Sequence, residues 1–209
     1  DHLFEVELRG VIRYKNDRLL NEGELYDYLS QHAPVPFNPE FRFATEIEEF
    51  LTDKKVYSAY EIILEDCGET RTVYRPYQDA FNLSEHSQDK FQEVEYIEVE
   101  GYQGGVAAGG WMLHHKYLGL IPASELIRGL RVREGNIQIG QSDILNSAFP
   151  EPRFNSWSVG ELHIVHRQLT PTGRRDEFEV NPRDADFVNR VATFGKKIAK
   201  ICRQKSSIR

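Results

Sequence analysis

Alternating apolar and polar positions predict several short strands. The clearest alternation covers residues 157–167, and a second one covers residues 93–100. In residues 127–140, two alternating segments flank Gly135, which predicts a hairpin because glycine readily adopts the positive φ that a tight turn requires. Residues 57–65 and 71–74 predict a second hairpin.

Apolar residues at helical spacing predict helices, and the last one has the strongest signal. Apolar side chains recur every three or four residues between Phe187 and Ile201, after an Asn181-Pro182 start that suits a helix cap and a first helical position. Shorter helices are predicted for residues 22–31, for a segment beginning at Thr45 with a T-x-x-E capping box, and for residues 143–149. The polar residues 77–90 predict a loop.

The start of the chain resembles the end of another domain. Phe4, Val6 and Leu8 alternate with charged residues, which predicts a strand, and no initiator Met precedes them. We therefore expect residues 1–20 to be the trailing strand of a preceding domain and residues 21–209 to form a domain of their own. A full-length protein from which a tag was removed is the alternative.

Composition excludes several classes of protein. The 209 residues are 40% hydrophobic and 11% aromatic, enough for a substantial core. The sequence contains no apolar run of about 18 residues and no signal-peptide pattern at residue 1, so we expect no membrane partner. Cys67 and Cys202 are far apart and form neither a disulfide framework nor a zinc pattern, which favours a reducing, cytoplasmic location.

Charge is distributed unevenly along the chain. Residues 1–120 contain 11 Lys and Arg against 23 Asp and Glu, a net charge of −12, whereas residues 121–209 contain 15 against 10, a net charge of +5. This asymmetry indicates either two subdomains or one face that meets an anionic partner, and the alternative is chance asymmetry over two solvated surfaces. If the basic half binds nucleic acid, the candidate residues are Arg128, Arg131, Arg133 and the lysines of the last helix.

Most familiar catalytic patterns are missing from the sequence. Neighbouring His114 and His115, on a predicted strand, point to opposite faces and do not share a metal ion, and no recognised nucleophile motif occurs. The glycine-rich residues 101–110 lack the Lys and Ser/Thr of a phosphate-binding loop, which favours a flexible connection or a bulge. Glu161 lies within a predicted strand and is expected to pair with an inward-facing arginine.

Two adjacent arginines stand out in the loop between the last predicted strand and the last helix. Arg174 and Arg175 follow Pro171 and Gly173 and precede three acidic residues. Guanidinium groups are permanently charged and match phosphate oxygens, so the loop is a candidate phosphate- or carboxylate-sensing segment. The alternative is local pairing with Asp176, Glu177 or Glu179, which contributes only about 0–1 kcal/mol when exposed.

The sequence resembles one known family. The segments PEPRFNSWSVGELHIVHRQLTPTGRRDEFE, IRGLRVREGNIQIG and ELYDYLSQHAPVPF are similar to bacterial relatives of the heat shock protein 90 chaperones, ATPases of the gyrase, chaperone, histidine-kinase and mismatch-repair superfamily. The resemblance covers most of the chain and is most specific in residues 127–180. It begins after the ATP-binding domain: LFEVELRGV is similar to that domain's last strand, and the rest to the middle, or transducer, domain.

The resemblance implies a fold and a role. The fold is an α+β, two-layer α/β sandwich with a mixed sheet, of the ribosomal-protein-five domain-2 type, with a small N-terminal α/β extension. The role is to couple ATP binding and hydrolysis in the missing N-terminal domain to conformational change, by supplying an arginine to the γ-phosphate. The family's Arg-acid pattern matches Arg175-Asp176 best, with Arg174 as a possible substitute, although the residues preceding Arg175 depart from the family pattern.

The same resemblance limits what this chain does alone. ATP and Mg²⁺ are expected only in the full-length protein, since the acidic, Asn and Gly motifs that bind ATP in this superfamily are absent. The chain is expected to be part of an ATPase and inactive alone. Its expected partners are the ATP-binding domain, protein clients and a second copy of the chain, and the alternatives are a nucleic-acid-binding module or a scaffolding and dimerisation domain.

Overall fold

A computed structural model describes residues 5–12, 19–101, 104–166 and 169–206, apart from the side chains of residues 202, 205 and 206. Its helices and strands follow one another as α1 (Glu22–His32), α2 (Ala44–Asp53), β1 (Ile63–Asp66), β2 (Glu69–Thr72), β3 (Ala80–Ser84), β4 (Ser87–Lys90), β5 (Glu93–Glu100), β6 (Val106–His114), β7 (Gly129–Glu134), β8 (Ile137–Ile139), β9 (Val159–Ile164) and α3 (Pro182–Ser206). The described residues therefore form a mixed α and β structure.

A five-stranded sheet with the order β5-β6-β9-β7-β8 is the centre of the molecule. Its neighbouring strands are antiparallel except for β7 and β9, which run parallel. Two short 3-10 helices, Asn146–Ala148 and Pro152–Trp157, lie in the connection from β8 to β9. The β7–β9 register places Arg131 opposite Glu161 and Arg133 opposite His163.

Apolar side chains cover both faces of this sheet. One face packs against α3, through a core that includes Met112, Leu162 and Val191. The other face carries Trp111 and Leu113 and packs against α2 and the segment around Phe37. Since neighbouring strand residues point to opposite faces, Trp111 and Met112 belong to different cores.

Residues 22–90 form a mixed α and β layer, the N-terminal layer, which covers the face of the sheet opposite α3. It consists of α1, α2 and two hairpins, β1–β2 and β3–β4. The sheet therefore lies between α3 on one face and the N-terminal layer on the other.

Several predicted elements are confirmed, some with different bounds. The structure contains the α1 and α3 helices, the β1–β2 and β7–β8 hairpins, and the strands β5 and β9. Asn181 caps α3, with its side-chain oxygen accepting from the backbone N–H groups of Arg183 and Asp184 at 2.8 and 3.1 Å. Of the helix predicted over residues 143–149, only the 3-10 turn Asn146–Ala148 forms.

Two local predictions are wrong. The loop predicted for residues 77–90 contains the β3–β4 hairpin, in which Phe81 is the buried apolar anchor and most other side chains are polar and exposed. The capping box at Thr45 does not form, because α2 begins at Ala44 and Thr45 already lies inside the helix. In the hairpin, burial of Phe81 outweighs the polar sequence pattern, whereas at α2 the helix begins one residue before the predicted cap.

The glycines of residues 104–110 separate into a turn and a strand. Gly104 and Gly105 have positive φ, whereas Gly109 and Gly110 lie within β6 between two neighbouring strands. A Cβ at Gly110 would lie 2.2 Å from the backbone oxygen of Glu161. Close packing of β6 on β9 therefore explains Gly110. The β5–β6 register shifts by one residue between the pairs Val99–Ala108 and Glu100–Val106, so the expected bulge is present in this stretch.

Residues 5–12 lie in neither a helix nor a strand, and Val6, Leu8 and Ile12 are exposed. Residues 1–4 and 13–18 of the predicted trailing strand lie outside the described residues. Among the helices that the structure describes, none has the length and apolarity to cross a bilayer.

Candidate functional site

The arginine loop, residues 169–181, connects β9 to α3 and has a firmly fixed base. Pro171 and Phe178 form an antiparallel bridge, and the N–H of Glu179 donates to the oxygen of Thr170 at 2.9 Å. The buried ring of Phe178 packs edge-on against Phe187 of α3. The loop is thus a short hairpin whose tip carries both arginines.

A tight turn shapes the tip. The N–H of Arg175 donates to the oxygen of Thr172 at 2.8 Å, and the N–H of Thr172 donates to the oxygen of Glu177 at 2.9 Å. Arg175 has a φ of 57°, a left-handed conformation that is uncommon for a residue with a side chain. Such a conformation persists only where surrounding contacts impose it.

The contact that holds this turn comes from the sheet. The N–H of Gly140, just after β8, donates to the backbone oxygen of Arg175 at 2.7 Å. Gly140 has a φ of 61°, and a Cβ there would lie 2.8 Å from the oxygen of Asp176. The end of β8 and the arginine loop therefore fit together only because residue 140 has no side chain.

The two arginines point in different directions. The Nη2 of Arg175 donates to the backbone oxygen of Glu134 at 2.8 Å and lies 3.4 Å from its carboxylate, and both side chains are about one third exposed. Arg174 is exposed. The two predicted arginines therefore have different surroundings. Arg174 faces solvent, whereas Arg175 is hydrogen-bonded to Glu134 at the β7–β8 turn.

Asp176 is the acidic residue whose carboxylate is hydrogen-bonded within the arginine loop. The Thr172 hydroxyl donates to its carboxylate at 2.6 Å. This hydrogen bond, together with the charge of Arg174, lowers the pKa of Asp176. Asp176 therefore stays ionised and fixes the turn without forming an ion pair with Arg175.

A second polar cluster lies buried on the face of the sheet opposite α3. Glu161 of β9 pairs with Arg133 of β7, with an Nε–Oε1 distance of 2.6 Å, and with Arg75, which follows β2. Arg75 also donates to Asn136, in the β7–β8 turn, and His163 lies 3.1 Å from Glu161. The expectation that Glu161 pairs with an inward-facing arginine is confirmed, twice over.

This cluster, the Glu161 network, ties the N-terminal layer to the sheet. Arg133 donates to the oxygen of Gln31 at 2.7 Å, at the end of α1, and Arg75 donates to that of Val35 at 3.0 Å. The amide of Asn136 donates to the oxygen of Ser58 at 2.8 Å. Buried guanidinium groups satisfy backbone carbonyls that would otherwise lack partners.

Burial and charge determine the protonation states of the Glu161 network. Burial alone would raise the pKa of Glu161, but the charges of Arg133 and Arg75 hold it well below its usual range. Burial lowers the pKa of Arg75 to about 10 and that of His163 to about 4. The core at neutral pH therefore contains an ionised Glu161, charged arginines and a neutral His163.

The arginines proposed for a nucleic-acid surface are not available for it. Arg133 and Arg131 are buried, and Arg131 donates to Gln138 at 3.0 Å and to the oxygen of Leu126. Arg128 is partly buried against Ser156. The face of β7 that carries Arg131 and Arg133 is buried, so neither arginine is exposed to a nucleic acid.

The network and the arginine loop meet at the β7–β8 turn. Glu134 holds Arg175, and Asn136, two residues later, accepts from Arg75. Neither Glu134 nor Asn136 was identified from the sequence, where they read as ordinary turn residues. The long separation from their partners along the chain leaves no local pattern by which to find them.

In the described part of the chain, no group of three or more His, Cys, Asp or Glu side chains is arranged to hold a metal ion. Comparison with protein-family models and with curated proteins finds no match to the chain.

Proposed function

We propose that this chain is the middle domain of a heat shock protein 90-like ATPase, and that its arginine loop meets the γ-phosphate of ATP held by a separate ATP-binding domain. Its role is to couple ATP binding and hydrolysis to conformational change. ATP and Mg²⁺ belong to the assembled protein, and the chain alone is not an active enzyme. In this proposal the sheet with α3 has the ribosomal-protein-five domain-2 type of fold. The proposed location of the protein is the cytoplasm.

The observation that carries the proposal is the presentation of Arg174 and Arg175 on a fixed base. A phosphate-sensing arginine has to reach out from its own domain while its backbone stays in place. The Pro171–Phe178 bridge and the bond from Gly140 to Arg175 supply that fixed backbone. The exposed side chain of Arg174 supplies the reach.

Arg175 is proposed to contact phosphate only after its guanidinium leaves Glu134. Its guanidinium is held by one backbone oxygen and by the partly exposed carboxylate of Glu134, a contact that solvent weakens. A phosphate carries more charge than one carboxylate and accepts two parallel bonds from a guanidinium. Arg174 thus meets phosphate in the present conformation, and Arg175 joins it when phosphate displaces Glu134.

The first test is nucleotide titration of this chain by calorimetry. A half-site without the ATP-binding domain should bind ATP only weakly, with a dissociation constant above about 1 mM, near −4 kcal/mol. Submicromolar binding would refute the half-site, because the chain would then contain a complete nucleotide site.

The second test measures ATP turnover in the protein that joins this chain to its ATP-binding domain. Arg174→Ala and Arg175→Ala are each expected to lower kcat by about tenfold to a thousandfold, since arginines that stabilise transferring phosphate contribute at least that much. Arg153→Ala is the matched control, because Arg153 is an exposed arginine outside the loop. Unchanged kcat in both loop variants would show that the loop has another role.

A further inference from the structure

A groove of about 440 Å³ lies beside the arginine loop, between the segment after β8 and the start of α3. Its floor is apolar and is formed by Ile144, Leu145, Phe178 and Val188, which belong to the core under α3 or pack against it. Val180 stands at its edge with 98% of its surface exposed. The groove is thus an apolar surface continuous with the core and open to solvent.

Carboxylates form its rim. Asp143, Glu177 and Asp184 line the groove with Asp176, and none of these four forms an ion pair among the residues the structure describes. Asp176 is occupied by Thr172 and lies near Arg174. The other three carboxylates are left without a cation, and no Lys, Arg or His is among the described residues that line the groove.

Desolvation makes the ionised form of Asp184 less stable, and a cationic partner could offset this loss of stability. Burial raises the pKa of Asp184, which means that the fold desolvates its carboxylate without supplying a counter-charge. The start of α3 offers Asp184 a favourable dipole, but Asp143 and Glu177 lie outside any helix. Cationic side chains entering the groove would supply the counter-charge that its lining lacks.

We propose that this groove, the acidic groove, binds a basic amphipathic segment of a partner protein, in which Lys or Arg residues flank an apolar side chain. The apolar side chain covers Val180 and the floor, and the cations meet Asp143, Glu177 and Asp184. Charge complementarity selects this occupant. The binding is independent of the proposed phosphate contact.

Two segments of this chain fit the groove less well. The basic end of α3 presents exposed Lys196 and Lys200, but the apolar Ile198 and Ala199 between them are buried. Residues 5–12 expose Val6 and Leu8, but they alternate with Glu5 and Glu7, which the rim would repel. A second copy of the chain therefore lacks, in these segments, the required combination of positive charge and exposed apolar surface.

Fluorescence anisotropy with designed peptides tests the proposal. The probe is a fluorescein-labelled peptide of alternating lysine and leucine pairs, which forms a basic amphipathic segment, and the comparison peptide replaces each leucine by serine. The chain should bind the leucine peptide about tenfold more tightly than the serine peptide, because only the former fills the floor. Equal binding of the two peptides would overturn the proposal.

Variants locate the binding site. Asp143→Asn with Glu177→Gln, and separately Val180→Ser, should each weaken binding of the leucine peptide by about fivefold or more. The matched control is Glu61→Gln with Glu85→Gln, which removes the same charge from exposed residues outside the groove and should change binding by less than about twofold. An equal loss in the control would show attraction by net charge alone.

Sedimentation of the unliganded chain provides the last comparison. If the chain sediments as a monomer, the result supports a different protein as the occupant of the acidic groove. Self-association that Asp143→Asn with Glu177→Gln abolishes would overturn this choice of occupant in favour of a second copy of the chain.

Discussion

Glu161 has an unusual position for a charged residue, fully buried on the central strand of the sheet. Lone charges in a core are very costly, and they persist when neighbouring charges and hydrogen bonds replace water. Arg133 and Arg75 supply both, and the side chain of Asn136 and four backbone oxygens accept the remaining hydrogen bonds of the two guanidinium groups. Removing the one carboxylate would leave two buried cations facing each other.

We therefore predict that Glu161→Gln is strongly destabilising. The glutamine keeps the size of the side chain and removes only its charge, so the loss reports the uncompensated arginines. The free energy of unfolding should fall by about 3–5 kcal/mol, measured by urea denaturation at neutral pH.

The control for this change is Glu98→Gln. Glu98 pairs with Lys54 at 2.5 Å, but its side chain is half exposed, so water replaces the lost partner. This variant should lose about 1 kcal/mol or less. If Glu161→Gln cost no more than Glu98→Gln, the pairing in the core would be electrostatically unimportant.

At the scale of elements, the position of the arginine loop depends on how closely β8 approaches it. Gly140 combines a positive φ with a contact too short for any side chain, and it holds the backbone of Arg175. The loop is therefore positioned by a strand end that is distant in sequence, and its own residues supply only the turn.

Gly140→Ala should consequently displace the loop. The added methyl would collide with the oxygen of Asp176 and with Ile144, and the positive φ adds strain. We expect a loss of about 1–3 kcal/mol in the free energy of unfolding, with large changes in the amide chemical shifts of Arg174 and Arg175.

Gly173→Ala is the matched comparison, because Gly173 lies at the loop tip with ordinary φ and no atom near its missing Cβ. It should leave the unfolding free energy within about 0.5 kcal/mol. Similar shift changes in both variants would mean that the loop is not held through Gly140.

These two sites also show what the sequence could predict. The hairpin around Gly135, the strand containing Glu161 and the cap at Asn181 each have a local pattern, and each forms. The partners of Glu161 and Arg175 have none, because Arg75 lies 86 residues from Glu161 and Glu134 lies 41 residues from Arg175. Alternation in β7 puts Arg131 and Arg133 on one face of the strand, but only the three-dimensional packing shows that this face is buried.

At the scale of the whole molecule, the two cores share the strands of one sheet. Trp111 lies in the core under the N-terminal layer, whereas Trp157 packs against the core under α3. The Glu161 network fixes the N-terminal layer to the sheet at Gln31, Val35 and Ser58. Loss of either core should remove the support of the other.

We therefore predict a single cooperative unfolding transition, which the two tryptophans can test separately. Trp157→Phe leaves Trp111 as the fluorescent probe of the N-terminal side, and Trp111→Phe leaves Trp157 as the probe of the α3 side. Within each variant, the urea midpoint from fluorescence should coincide with that from far-ultraviolet circular dichroism. Comparison inside one variant cancels any change in stability that the substitution causes. A Trp111 fluorescence midpoint clearly below the dichroism midpoint would show that the N-terminal layer unfolds first. The Glu161 network would then be too weak to make the N-terminal layer and the sheet unfold together.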